Sequence, residues 1–150
     1  MKAKRTQARE AALKILYQLD VTKDAPEEGI RLFLHHHRLP AGQQPFLKTL
    51  VTGARERLAE IDKLLSEHTT NWTVDRMSMV DRNVLRLAVF ELVYGNETPP
   101  KVVINEAVEL AKRFGTPDSG KFVNGVLDSI HKSRQTDATD AAATTPTDGS

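Results

Sequence analysis

Nearly every segment of this 150-residue chain repeats its apolar residues every three or four positions, which is the period of an amphipathic α-helix. The clearest case is one helix of about twenty residues, with apolar side chains at Leu47, Leu50, Val51, Ala54, Leu58, Ile61 and Leu65. No segment shows the alternation of apolar and polar residues that a half-buried β-strand requires. The pattern therefore predicts an all-α fold of six or seven helices joined by short connections.

Capping residues, glycine and proline mark where the later helices begin and end. Ser78-x-x-Asp81 resembles a capping box in front of an almost wholly apolar stretch, so this helix should be central and buried. Gly115 is predicted to end the following helix in the left-handed conformation. Thr116, followed by a proline, is predicted to start the last helix, which should run to about Lys132.

Two features divide the chain. A weak midpoint near residues 69–78 predicts two three-helix halves that pack together. Residues 135–150 are rich in Ala, Thr and Asp and contain no large apolar residue, so their burial cannot offset the entropy of ordering them. We therefore expect one helical domain over residues 1–134 and a disordered tail over residues 135–150.

The net charge of +1 hides an uneven distribution of basic residues. The tail carries three Asp and no basic residue, so the rest of the chain carries +4. Lys4, Arg5 and Arg9 lie in or before the first turns of the first helix, where the helix dipole disfavours cations. A phosphate-bearing partner would remove this penalty, whereas a frayed, solvated terminus is the alternative explanation.

The start of the last helix carries a second candidate site. Lys121 projects away from the core stripe and Phe122 lies at its edge, which suits single-stranded RNA because a base can stack on the ring while the cation holds a phosphate. A phenylalanine at the edge of the core is the ordinary alternative. The helix dipole is a sufficient explanation for Asp118 in the first turn. Gly125 inside the helix suggests close packing or a close backbone approach.

The sequence offers little support for catalysis, metal binding or membrane insertion. It has no phosphate-binding or nucleophile motif and no cysteine, and consecutive residues His35, His36 and His37 point 100° apart on a helix, so they cannot converge on one ion. Glu106 and Glu109 share a helix face and are interpreted as solvated acids. We expect a protein that is not an enzyme, with no metal or cofactor. With no apolar run long enough to span a membrane and no secretory signal, a cytoplasmic location is expected.

Residues 80–130 resemble the NusB family of transcription antitermination factors, above all in the blocks INEAVELAK and KFVNGVLD. The segment AREAALKILYQLD (residues 8–20) is similar to the first helix of that family, and residues 21–79 match only in helical pattern. The resemblance implies an all-α fold of two three-helix subdomains and a role that does not involve catalysis.

The resemblance also implies specific partners. They are the boxA element of ribosomal RNA leader transcripts, the small ribosomal subunit protein NusE, and the RNA polymerase antitermination complex. The N-terminal segment that carries Lys4, Arg5 and Arg9 is called the basic arm below. This arm, the first helix and the start of the last helix would contact RNA through Lys4, Arg5, Arg9, Asp118, Lys121 and Phe122. The first helix and the helix beginning near Val80 would face NusE through Tyr17, Asp81 and Arg82. Tyr17 projects away from the apolar stripe of its helix, so it is free to meet a partner.

Two alternatives stay open at this point. A NusB-like domain also precedes the catalytic domain of certain ribosomal RNA methyltransferases, but here nothing that could bind S-adenosylmethionine follows residue 150, so the chain would have to be truncated. A purely protein-binding helical adaptor would bind RNA no better than a variant that lacks residues 1–9. The resemblance leaves monomer and homodimer equally open.

Overall fold

The computed structural model describes the backbone of residues 2–69, 73–95 and 97–149, and the side chains of residues 5–69, 73–95 and 97–136. Within these ranges the structure is all-helical, without a strand, as predicted. The helices are α1 (Lys2–Thr22), α2 (Pro26–His36), α3 (Gln44–Glu56), α4 (Leu58–Glu67), α5 (Met79–Val89), α6 (Pro100–Phe114) and α7 (Ser119–Gly149).

The helices form two subdomains that share one hydrophobic core. Helices α1, α2 and α3 pack together in the first subdomain, and α5, α6 and α7 pack together in the second. Helix α1 also packs along α5, while α4 lies against α3 and α5. Fully buried side chains from both subdomains belong to the same cluster, including Leu16, Val51, Leu85 and Leu127. The predicted division into two halves is confirmed, and the short 3₁₀ turn Val74–Arg76 lies in the connection between them.

Helix α5 is the central element that the sequence predicts. Seven consecutive residues, from Asn83 to Val89, are buried. Ser78 caps the helix, because its side-chain oxygen accepts a hydrogen bond of 3.1 Å from the Asp81 amide. After Val89 the chain continues as one turn of π-helix, Phe90–Tyr94, which ends where the Gly95 amide donates to the carbonyl of Phe90.

The prediction of a single helix from Leu47 to Leu65 is wrong, because the helix is interrupted at Arg57. This residue has φ −107° and ψ 22°, outside the helical region, and it separates α3 from α4. The Arg57 guanidinium stacks over the ring of Tyr94 at 4.2 Å and pairs with Glu60 at 3.3 Å. The three-and-four spacing continues across the break, so the pattern of apolar residues alone does not reveal it.

Four expectations for the last two helices also need correction. Gly115 is extended (φ −99°, ψ −154°) rather than left-handed, and α7 begins at Ser119, whose side-chain oxygen accepts from the Thr116 amide at 2.9 Å. A Cβ at Gly125 would meet no atom of another described element within 4 Å, so this glycine does not serve close packing against the described residues. Helix α7 continues past Lys132 to Gly149. The side chains of residues 137–150 lie outside the described residues, and the disordered tail stays a prediction.

Gly53 in α3, unlike Gly125, lies where close packing leaves no room for a side chain. A Cβ at Gly53 would clash with the ring of Phe90, whereas one at Gly125 would meet no other described element. We expect Gly53→Ala to lower the free energy of unfolding by about 1–3 kcal/mol, because the ring must move within a packed interface. The matched change Gly125→Ala should leave it unchanged or raise it by up to about 1 kcal/mol. Urea unfolding measures both, and equal effects would contradict this assignment.

Candidate nucleic-acid interface

The residues predicted to bind RNA fall into two groups at opposite ends of α5. Arg9 pairs with Glu91, just after the C-terminal end of this helix, while Phe122 shares a pocket with Asp81 in its first turn. Ten residues separate Asp81 from Glu91, which corresponds to about 15 Å along a helix axis. The structure therefore places the candidate residues in two separate regions rather than in one continuous patch.

Arg9 is buried in a network of internal acids. Its side chain is only 4% exposed, and its Nε donates to both carboxylate oxygens of Glu91 at 2.9 and 3.1 Å. Its other nitrogens reach Glu106 at 3.4 Å and the hydroxyl of Thr98 at 3.4 Å. Burial raises the pKa of Glu91, although the hydrogen bonds and charge of Arg9 oppose that shift. The anionic partner that the sequence indicated for Arg9 is thus present inside the chain, and its contact with RNA stays a prediction.

Arg5 is the partly exposed arginine of the basic arm. Its guanidinium donates to Glu97 at 3.0 Å and to the Thr98 hydroxyl at 3.1 Å, and it lies 4.6 Å from the centre of the Phe46 ring. Beside it lies an open groove of about 460 Å³, lined also by Phe90 and other residues of the π turn. Arg5 remains accessible to an anion, although it already has a carboxylate partner. The side chain of Lys4 lies outside the described residues.

At the other end of α5, the start of α7 presents the second group. Asp118 and Lys121 are exposed, and Phe122 is partly buried against the core. Asp118 and Phe122 line a pocket of about 250 Å³ together with Asp81 and Thr116. Phe122 has the edge position that the sequence predicts. The pocket also places Asp81, which was assigned to NusE, beside two residues assigned to RNA.

The other two residues assigned to NusE differ in their freedom to bind a partner. Tyr17 is 40% exposed, in agreement with its predicted orientation. Arg82 is mostly buried and pairs with Asp20 at 2.8 Å. Burial disfavours the charged form of Asp20, but hydrogen bonds from Asn83 and Arg82 and the charges of Arg86 and Arg82 outweigh burial and lower its pKa. Arg82 therefore joins α5 to the C-terminal end of α1, and its role toward NusE stays a prediction.

Sequence reasoning missed the acids that surround the basic arm. The sequence predicts Glu106 to be a solvated acid, but Glu106 accepts a hydrogen bond of 2.6 Å from the Thr6 hydroxyl and one of 3.4 Å from Arg9. Glu91 and Glu97 lie more than 80 residues from the arginines they bind. No local pattern could reveal these pairs, because they depend on how α1 packs against α5 and α6.

The described part of the chain offers few other sites. Within it, no three His, Asp or Glu side chains lie close enough together to share a metal ion. His37 instead stacks on Phe33, with ring centres 4.5 Å apart, and His36 lines a groove between α1 and α2. None of the described helices combines the length and apolar character that a membrane crossing needs.

These features define an all-α protein of two three-helix subdomains, with a basic arm at one end of a buried central helix and an aromatic residue beside a lysine at the other. A model of the NusB family matches residues 6–132, and the chain belongs to that family.

Curated relatives match most of the chain. The transcription antitermination protein NusB of Desulforapulum autotrophicum is 48% identical over 128 residues, which are 84% of this chain and 90% of the relative. The NusB protein of Bacillus subtilis is 45% identical over 127 residues, which cover 85% of this chain and 94% of the relative.

Solved structures show the same fold. NusB of T. maritima superposes with a TM-score of 0.77 at 38% identity, and the match covers 85% of this chain and 90% of that one. A crystal structure of the antitermination factors NusB and NusE with double-stranded RNA matches with a TM-score of 0.81 at 32% identity, over 89% of this chain and 99% of that one.

The buried geometry of Arg9 predicts a stability effect. We expect Arg9→Met to lower the free energy of unfolding by about 3–5 kcal/mol at pH 7, because Glu91 would keep its burial and lose its main charged partner. The double change Arg9→Met with Glu91→Leu should recover most of that loss. Urea unfolding followed by circular dichroism provides the measurement. An unchanged midpoint in Arg9→Met would show that the pair does not hold α1 in place.

Proposed function

We propose that this chain acts as a transcription antitermination factor that binds boxA RNA together with NusE and joins the RNA polymerase complex in the cytoplasm. The observation that carries the proposal is the match to the NusB–NusE–RNA structure over nearly the full length of that NusB chain. The proposed role is binding without catalysis. The methyltransferase alternative is not favoured, since the curated relatives that match are NusB proteins covered over most of their own length.

The geometry supports different RNA contacts at the two ends of α5. At one end, Arg5 would hold the phosphate backbone of the RNA, with Lys4 and Arg9 as further candidates. At the other end, Phe122 would stack a base while Lys121 neutralises a phosphate and Asp118 lies beside them. Tyr17, Asp81 and Arg82 would contact NusE. Because Asp81 shares a pocket with Phe122, the RNA and NusE surfaces would meet there.

NusE should strengthen RNA binding by this chain. The arginines of the arm are already paired internally, so RNA binding by the chain alone should be modest, and contacts that NusE adds along the same RNA would raise the affinity. We expect NusE to lower the dissociation constant for a single-stranded boxA RNA by at least about fivefold. Fluorescence anisotropy with and without NusE measures the effect. A double-stranded version of the same RNA serves as the comparison, and light scattering on the same samples distinguishes monomer from homodimer.

Equal affinity with and without NusE would refute the coupling. If neither the chain nor its mixture with NusE binds any of these RNAs, the RNA-binding proposal fails and the protein-only adaptor is the better account.

The two side chains at the start of α7 should have different signatures. Phe122→Leu keeps an apolar side chain at the core but removes the stacking face, so it should weaken RNA binding about tenfold with an unchanged salt dependence. Lys121→Gln should lower the slope of log K against log salt by about 0.7. The matched controls are Phe114→Leu and Lys132→Gln, which make the same changes at other sites. Equal effects in variant and control would refute the assignment.

A further inference from the structure

The basic arm is held by acids of its own chain. Arg9 is enclosed by Glu91 and Glu106, whereas Arg5 is 41% exposed and pairs with Glu97. The Glu97 side chain is itself 73% exposed. Arg5 and Glu97 thus form an ion pair that is open to solvent and to ligands.

The segment that carries Glu97 is anchored to both arginines. The neighbouring hydroxyl of Thr98 accepts from Arg5 at 3.1 Å and from Arg9 at 3.4 Å, and Pro99 and Pro100 follow at the start of α6. Proline restricts the backbone of this connection. Glu97 is therefore held close to the guanidinium of Arg5 rather than reaching it from a distant loop.

A carboxylate and a phosphate make the same kind of charge-assisted hydrogen bond to a guanidinium. The nitrogen of Arg5 that donates to Glu97 can therefore donate equally well to a phosphate oxygen. We propose that Glu97 competes with RNA phosphate for Arg5 and thereby sets the affinity of the free chain for RNA. This inference rests on the proposed function, because it requires Arg5 to contact RNA.

The strength of the pair determines how large the competition can be. Ion pairs between exposed side chains are weak, since water and salt screen them, and breaking one changes an equilibrium by about 1.5- to 5-fold. Glu97 would therefore weaken RNA binding without preventing it. The strand of RNA would replace the carboxylate with a phosphate at Arg5, while the contact with Phe46 could be kept.

The experiment compares Glu97→Gln with Glu109→Gln. Both changes remove one exposed carboxylate, but Glu109 lies on α6 and pairs with Lys112, whereas Glu97 pairs with Arg5. Each is made in the parent chain and in Arg5→Gln, and binding to boxA RNA is measured by anisotropy with NusE present. We expect Glu97→Gln to raise the affinity by about two- to fivefold, more than Glu109→Gln does. In the Arg5→Gln background this difference should disappear.

Each other result overturns the inference. Equal gains from the two glutamate changes, or a gain from Glu97→Gln that persists without Arg5, would mean that only overall charge matters. Weaker binding by Glu97→Gln would mean that Glu97 positions Arg5 for RNA instead of competing for it. If the parent chain and all variants fail to bind RNA, the proposed function fails together with the inference. If the parent binds and Glu97→Gln matches it, only the inference fails.

Discussion

Helices α1 and α5 pack antiparallel, and buried ion pairs join them at both ends of the contact. The positions of the candidate site residues depend on this packing. Arg9 meets Glu91 at one end, and Asp20 meets Arg82 and Arg86 at the other. A buried charge without its partner is costly, so sliding α1 by one turn would strand charged groups at both ends. The pairs therefore fix the register of α1 more firmly than apolar packing alone, which tolerates exchange of similar side chains.

This fixed register positions both contact regions relative to the core. It holds the first turns of α1 against the segment before α6, where Arg5 reaches Thr98, and it leaves Tyr17 facing solvent near the other end. Since α7 begins beside the first turn of α5, Phe122 belongs to the same rigid frame as Asp81. A ligand that touches both ends would bind a preorganised surface and would lose little entropy in ordering the protein.

The sequence predicts more of the fold than of the candidate site. The apolar spacing gives the helices and the central position of α5, because that spacing records which face each helix buries. It does not reveal the break at Arg57, since the same spacing continues into α4. The edge position of Phe122 also follows from helix geometry, and the structure agrees with it. The burial of Arg9 does not follow, because Glu91 and Glu106 become its neighbours only through tertiary packing.

The ion pairs that Arg5 and Arg9 form within the chain also weaken the attraction of the basic arm for anions. Free cations attract any polyanion, and this attraction accounts for most binding that does not depend on sequence. In this chain Glu91, Glu106 and Glu97 oppose Arg9 and Arg5, so the arm exerts a weaker field than the basic residues alone would produce. If the proposed RNA contacts hold, stacking on Phe122 would add affinity for single-stranded RNA with little preference among bases, so discrimination between RNAs would depend largely on a partner that binds the same strand.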